Sequence, residues 1–480
     1  MNPAAAKWEA LTKPLEGLLG RIRDSERVRG EIGWVVFHWA AEFALVFAVL
    51  KLLTTILGRE GYGEYTLVVT ATDLVGAVLL SPVIQAFLRT YHPAERDQHE
   101  RRAGLLVFRW YAAASIGVMT AGALLSKPFA AQFNLHPWSV LVGGLIFTGY
   151  QFRMLGVEVL TIRRRRRATA LLNCAFLATQ ILLLLLITSI WGATAQGALT
   201  SYALAVLLFA AVIAIPLLCE LLGKPDNGAF NLRPLIWSFG VPAGLLLVLQ
   251  WFQSCGDRYI LDRLVDREAV GCYVAANQVG SAPYFLLYGV LATLLRPIAY
   301  QRCNDCNDAR GLWAADRLLL GGIGAYVVLG GLAGVGFALC GPELLVLFSS
   351  EQFALPRITF VVLAVSRGLQ RLGFLLELFF AVHQRMSALL AFRIAGATFT
   401  LAICWVMTAG WGLPGAALGS LTAAALNVGL IVLGPGGVLH MIRAARRSLR
   451  AQVSEPRGVP ATSVARVEGL VQTRDLGDAK

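Results

Sequence analysis

The sequence predicts an all-α integral membrane protein with about twelve transmembrane helices, in two six-helix lobes related by a pseudo-two-fold axis along the membrane normal. Three observations carry that expectation. Of 480 residues, 57% are hydrophobic and 15% charged, and the mean hydropathy is +0.64, well outside the balance of a soluble domain. Apolar runs of about 20 residues, enough to cross about 30 Å of hydrocarbon, recur from one end to the other. A short stretch between two such runs also returns, ungapped, 208 positions later: Arg59, Glu60, Gly63 and Tyr65 recur as Arg267, Glu268, Gly271 and Tyr273. The runs are continuous rather than alternating, so helices are favoured over a barrel. In lipid, every backbone polar group must be satisfied within the chain. Duplication of a half-chain is a recurring transporter plan.

In chain order, residues 1–33 form a basic leader. There Trp8, Leu11, Leu15, Leu18 and Ile22 recur at three- and four-residue steps, the pattern of an interfacial amphipathic helix. The first lobe is expected over 34–222, with spans Trp34–Leu57, Tyr65–Phe87, Gly104–Leu125, Trp138–Leu160, Thr169–Ile190 and Gly197–Leu222. The fifth carries no charge and is expected to face lipid. The second lobe is expected over 235–433, with spans Leu235–Gly256, Ala269–Leu295, Leu318–Cys340, Ile358–Val382, Ala388–Thr408 and Leu413–Leu433. Gly330 and Gly334 in its third span have the small-xxx-small spacing that permits close helix approach. Residues 448–480 are polar and aperiodic, so a disordered tail is expected.

A net charge of +13 would suit nucleic acid, but its distribution argues against that partner. With the N-terminus inside, the leader, the alternate loops and the tail hold 30 Lys and Arg, and the opposite loops hold 6. This asymmetry places both termini in the cytoplasm. The run Arg163–Arg167 is the strongest anchor and a natural contact for anionic lipid in the bilayer. Segment Asp257–Glu268 departs from the rule, and its arginines are expected to pair with its own carboxylates in an external elbow. The first apolar run starts too late and runs too long for a cleaved signal, so its helix should stay in the mature chain. Six of the eight cysteines sit in or beside apolar runs as small hydrophobes. Cys303 and Cys306 form a lone CxxC without a second pair or nearby histidines, so no metal site is expected. No cofactor is expected either.

Charges inside spans cost about 2.5–3.5 kcal/mol each at the bilayer centre on insertion scales, and so mark candidate sites. Lys51, Arg109, Arg153 and Arg393 lie close enough to helix ends to snorkel. Arg367 does not: it lies ten residues past Arg357, about 15 Å along a helix and near the midplane. Gln370 and Arg371 follow at i+3 and i+4 on the same face. Two guanidinium groups at that depth repel unless they share an anion or face water, and the planar arginine fork suits phosphate or pyrophosphate. The alternative is an ion-paired structural network, to which Glu377 would contribute. Glu42, one turn from His38, and Asp73 are carboxylates able to bind a coupling proton or Na⁺, or to pair with the arginines. Gln250, Gln253 and Ser254 form a polar face suited to sugar hydroxyls, which Asn277 and Gln278 extend into the eighth span.

Two stretches resemble a known family. Ile56–Tyr65 (ILGREGYGEY) resembles the LLGPEEYGLY turn of polysaccharide-biosynthesis flippases. Gly256–Leu261 (GDRYIL) with Glu268–Tyr273 (EAVGCY) resembles their DRYILG…eavGlYaaa signature, and the spacing to Arg296–Pro297 fits. Those proteins belong to the multidrug/oligosaccharidyl-lipid/polysaccharide exporter superfamily, and the resemblance covers all twelve spans. Asp262 stands where a glycine is frequent, and Arg59 where a proline is. The resemblance implies alternating access in a bacterial inner membrane, moving a polyprenyl-pyrophosphate-linked glycan to the periplasmic leaflet, with a polysaccharide polymerase complex as an expected partner. It assigns no site residue. The runner-up is a cation-coupled exporter of small organic molecules, which would favour a carboxylate-dominated cavity. A membrane enzyme is not expected, because the longest connection, Arg296–Arg317, is too short for a catalytic loop.

Overall fold

Lipid leaves a backbone little choice but to close its hydrogen bonds within each segment, and among the described residues the regular structure is helical throughout. The computed structural model describes residues 26–96, 98–163, 165–223, 232–303 and 309–454. The Trp8–Ile22 stripe, Arg164, Cys306 and residues 455–480 therefore lie outside the described residues. The first half comprises α1 (Glu26–Leu79), α2 (Ser81–Arg96), α3 (Glu100–Gln132), α4 (Pro137–Ile162), α5 (Arg166–Trp191) and α6 (Ala195–Leu222). A short turn, Arg233–Leu235, and a π-helical turn, Ile236–Gly240, lead into α7 (Val241–Leu264). Then follow α8 (Arg267–Arg302), α9 (Ala309–Phe348), a 3₁₀ turn at Glu351–Phe353, α10 (Arg357–Val382), α11 (Met386–Leu433) and α12 (Val438–Ser454).

Among the described residues, ten helices are long and apolar enough to cross a membrane. Two of them break at a glycine with a left-handed backbone, Gly58 in α1 (φ 66°) and Gly412 in α11 (φ 59°). An L side chain is strained there, so glycine is what lets the chain reverse. Each break yields two spans, giving twelve in two lobes of six. The second lobe makes its corresponding first turn differently. Asp266, 208 positions past Gly58, caps α8 by accepting from the Ala269 N–H at 2.7 Å, satisfying one of the free donors of the first turn.

Most helices run past the apolar limits of the sequence, and three of these extensions shape the lobes. The second limb of α1 continues as α2, whose Val83, Ala86, Phe87, Tyr91 and Ala94 are buried. Helix α7 runs to Leu264 rather than ending at Gly256, so Asp257 and Arg258 are not in an external elbow. The reason is packing: Gln253, Gly256, Asp257, Ile260 and Leu261 form one buried stripe at helical spacing. Of the expected elbow pairs, Arg267 with Asp262 is present at 3.3 Å. Helix α12 carries the chain to Ser454, so residues 448–454 are helical rather than disordered. Its Val438, Met441, Ile442 and Ala445 are buried against the ends of α9, α10 and α11, and Arg446 lies over the Trp313 ring at 4.7 Å. Gly330 and Gly334 admit the ring of Tyr284 from α8, which comes within 3.4 Å of the position a methyl would take at either.

The lobes meet at several places, among them the α1–α7 contact where Trp251 donates to the Thr70 carbonyl at 3.0 Å and Tyr259 to the Leu67 carbonyl at 2.8 Å. At the end away from both termini, here the outer end, the second limb of α1 crosses the start of α8. A methyl on Gly63 would lie 2.2 Å from the Arg267 carbonyl oxygen, and one on Gly271 would lie 2.1 Å from the Arg59 carbonyl oxygen. Toward the inner end, the Trp39 ring of α1 covers Gly289 and stacks edge-on against Phe285 of α8, with centroids 5.6 Å apart. On the opposite seam, Pro82 of α2 packs against Gly240 and Gly244. Inside the first lobe, Arg163 pairs with Glu100 at 2.6 Å and Glu220 at 2.8 Å, so this member of the basic run ties helix ends together.

Candidate functional site

Two buried ion pairs of the second lobe, Asp257–Arg367 and Glu377–Arg393, are joined in one network around α10. Asp257 Oδ2 accepts from Arg367 Nη2 at 2.6 Å, from the Tyr273 hydroxyl at 2.5 Å and from Ser420 Oγ at 3.2 Å. Arg367 Nη1 donates to Gln370 Oε1 at 3.2 Å. Gln370 in turn donates from Nε2 to the Gln253 carbonyl at 2.9 Å and to Ser254 Oγ at 3.2 Å. Gln253 Oε1 accepts from Arg393 Nη1 at 2.6 Å, and the second Arg393 nitrogen pairs with Glu377 at 2.7 Å. The Asp257–Arg367 pair is nearly inaccessible, at 1% and 6% of side-chain surface. A pair that dry holds through its hydrogen bonds, because desolvation offsets most of the Coulomb attraction.

Arg367, Gln370 and Gln253 are thus committed to one another and to Asp257. Arg393 is buried at 4% with Glu377, rather than snorkelling. Arg153 is buried too, donating to Asn173 Oδ1 at 3.0 Å and lying 4.1 Å over the Phe176 ring. Asn277 is buried with an unpartnered Oδ1, and Gln250 is half-buried.

Arg371 has a different environment. Its guanidinium lies 4.9 Å from the Phe285 ring centroid, 5.4 Å from Phe374 and 5.9 Å from Tyr288. Phe285 is the ring that meets Trp39, so this arginine stands at the seam between the lobes. Among the described residues it has no salt bridge and no hydrogen-bond partner, while three ring faces stabilise its charge.

A second arginine was missed in the sequence. Arg258, half-buried on α7, has an unpartnered Nε and lies within electrostatic reach of Asp73 across the seam and of Tyr62 and Asp257. Cys255 lies within electrostatic reach of Arg258, Arg367 and Arg371, so the three guanidinium groups share one neighbourhood. Arg367 is neutralised by Asp257 and Arg258 faces Asp73, leaving Arg371 as the guanidinium without a carboxylate of its own. Arg258 was missed because the charges that follow Gly256 read as a loop, whereas the helix continues to Leu264.

In the first lobe, Asp73 is half-buried near Tyr150 and Tyr202. Glu42 lies 3.1 Å from His38 Nε2 and keeps 35% of its side-chain surface accessible. The structure therefore brings Asp73 to the arginine cluster and pairs Glu42 locally. Among the described residues, no group of three or more His, Cys, Asp and Glu could hold a metal ion.

No family model and no curated protein matches the chain in sequence. Solved structures do match its fold. An inward-facing multidrug resistance MATE family transporter of the MOP superfamily superposes with a TM-score of 0.63 at 12% identity, over 86% of this chain and 96% of its own. A MOP superfamily transporter from Pyrococcus furiosus, described for the reverse polarity of its binding pocket, gives 0.59 at 12% identity, over 87% and 94%. The lipid II flippase MurJ in an inward closed conformation gives 0.60 at 13% identity, over 93% and 94%. These likenesses are of fold: the two-lobed helical architecture is common to all three, and all three are transporters or flippases rather than enzymes.

Proposed function

We propose that this chain is a membrane flippase that moves a polyprenyl-pyrophosphate-linked oligosaccharide between leaflets by alternating access, in the assembly of a cell-surface polysaccharide. The observation that carries the reading is Arg371, a guanidinium at the lobe seam with three aromatic faces and no anion of its own. A phosphate would supply the missing charge through parallel N–H···O bonds, and Arg258 would add a second donor. Arg367, Gln370 and Gln253 would act one layer back by fixing α10 against α7. Gln250 and Asn277 would meet the glycan. The polyprenyl tail would stay in lipid outside the seam. Asp73 and Glu42 are the first-lobe carboxylates to which a coupling cation would bind. The membrane would be the bacterial inner membrane with both termini cytoplasmic, and a polysaccharide polymerase would take the product. A cation-coupled exporter of small organic molecules is the rival, and the excess of arginine at the seam disfavours it.

The test is flipping of a fluorescent polyprenyl-pyrophosphate oligosaccharide in proteoliposomes. Loss of one charge-assisted hydrogen bond, about 1.5–3 kcal/mol, should lower the rate of Arg371→Ala by about 10- to 100-fold. Arg371→Lys should recover only part, since a point charge cannot replace the fork. In the same vesicles, Asp73→Asn should abolish any response to an imposed proton or sodium gradient. Parental flipping by Arg371→Ala would overturn the reading.

A further inference from the structure

Of the stretch repeated in the two halves, the site above uses Tyr273 alone, and the contacts of the remainder give it a role of its own. Arg59 and Arg267 are equivalent by the 208-residue shift, and each reaches into the opposite lobe. Arg59 Nε donates to the Gln352 carbonyl, in the connection between the third and fourth spans of the second lobe. Arg267 donates from Nη1 to the Asn134 carbonyl at 2.8 Å and from Nη2 to the Phe133 carbonyl at 2.7 Å, in the corresponding connection of the first lobe. Between the two arginines lies the reciprocal crossing, where Gly63 faces the Arg267 carbonyl and Gly271 the Arg59 carbonyl. Tyr62 closes it by donating to Gln278 Oε1 at 3.0 Å. One surface thus meets its own pseudo-symmetric copy, the arrangement of an isologous interface.

We infer that this crossing is the outer gate: a self-complementary clasp that seals the outer end while closed and must part for anything to leave there. Its chemistry suits repeated opening. The arginines bind backbone carbonyls, so no buried carboxylate is stranded when the lobes separate. The two glycines let the helix starts touch without interlocking side chains. The inference rests on the alternating-access reading but not on the identity of the cargo.

The experiment is labelling of a single cysteine, Gln278→Cys, in a background without native cysteines, with a membrane-impermeant thiol reagent applied to the side opposite the termini. Gly63→Ala and Gly271→Ala each forbid the closed contact and should each raise the labelling rate by about tenfold. The double variant should go little further, because both remove the same contact. Arg59→Ala and Arg267→Ala delete donors without adding volume, so they report even if the glycine variants fail to fold. They should raise labelling by similar, smaller factors. Arg371→Ala should label like the parent whatever it does to flipping, which separates failure of the gate from failure of the cargo assignment. Unchanged labelling in the arginine variants, or a rise for one arginine only, would overturn the gate.

Discussion

At the scale of single residues, Asp257 holds the second lobe together. It joins α7 to α8 through Tyr273, to α10 through Arg367 and to the second limb of α11 through Ser420. Asp257→Ala would leave Arg367 buried opposite no anion, and is expected to cost about 3–5 kcal/mol. In the double variant Asp257→Ala, Arg367→Met, no charge is stranded, and most of that loss should return. Thermal unfolding in detergent reads both, and a double variant as unstable as the single one would show that Arg367 does more than pair. The place of Arg367 inside a spanning helix could be read from the sequence, but its partner could not. A crowd of charges after Gly256 resembles a loop, and the stripe that keeps those residues helical is apparent only once the facing helices are known. The shared face of Arg367 and Arg371 was legible too. Their i, i+4 spacing nevertheless leaves about 40° between them. That angle is enough to turn one into the lobe and the other onto the seam.

At the scale of elements, the apolar runs located the spans, and the differences lie at their ends. Hydropathy detects the part of a helix inside hydrocarbon, whereas α2 and α12 continue beyond it on amphipathic faces buried against neighbouring helix ends. The reversals are better specified. Gly412→Ala would place a side chain in a positive-φ conformation at a cost of about 1–3 kcal/mol, with open space around the new methyl, whose nearest neighbour would be Val265 Cγ2 at 3.9 Å. The variant should therefore insert and fold with a lowered melting temperature. An unshifted melting curve would mean that the reversal does not depend on that backbone state.

At the scale of the whole molecule, the two halves share a plan and differ in chemistry. The second lobe is cross-tied by Asp257–Arg367 and Glu377–Arg393, while the first keeps Asp73 at the seam and ties its inner end through Arg163 with Glu100 and Glu220. The two-lobed plan was readable because a self-complementary contact constrains both copies of the stretch that makes it. The chemistry of the seam was not, because it depends on which faces the lobes turn toward each other. The reciprocal crossing also bears on how the protein is assembled. A connection that joins two such bodies adds proximity but no part of their recognition. The polypeptide cut between Leu222 and Leu232, with each half supplied separately, should therefore reunite in the membrane and co-purify. Arg59→Ala on one fragment should weaken that recovery as much as Arg267→Ala on the other. The covalent chain would then be a tether between partners that already recognise each other.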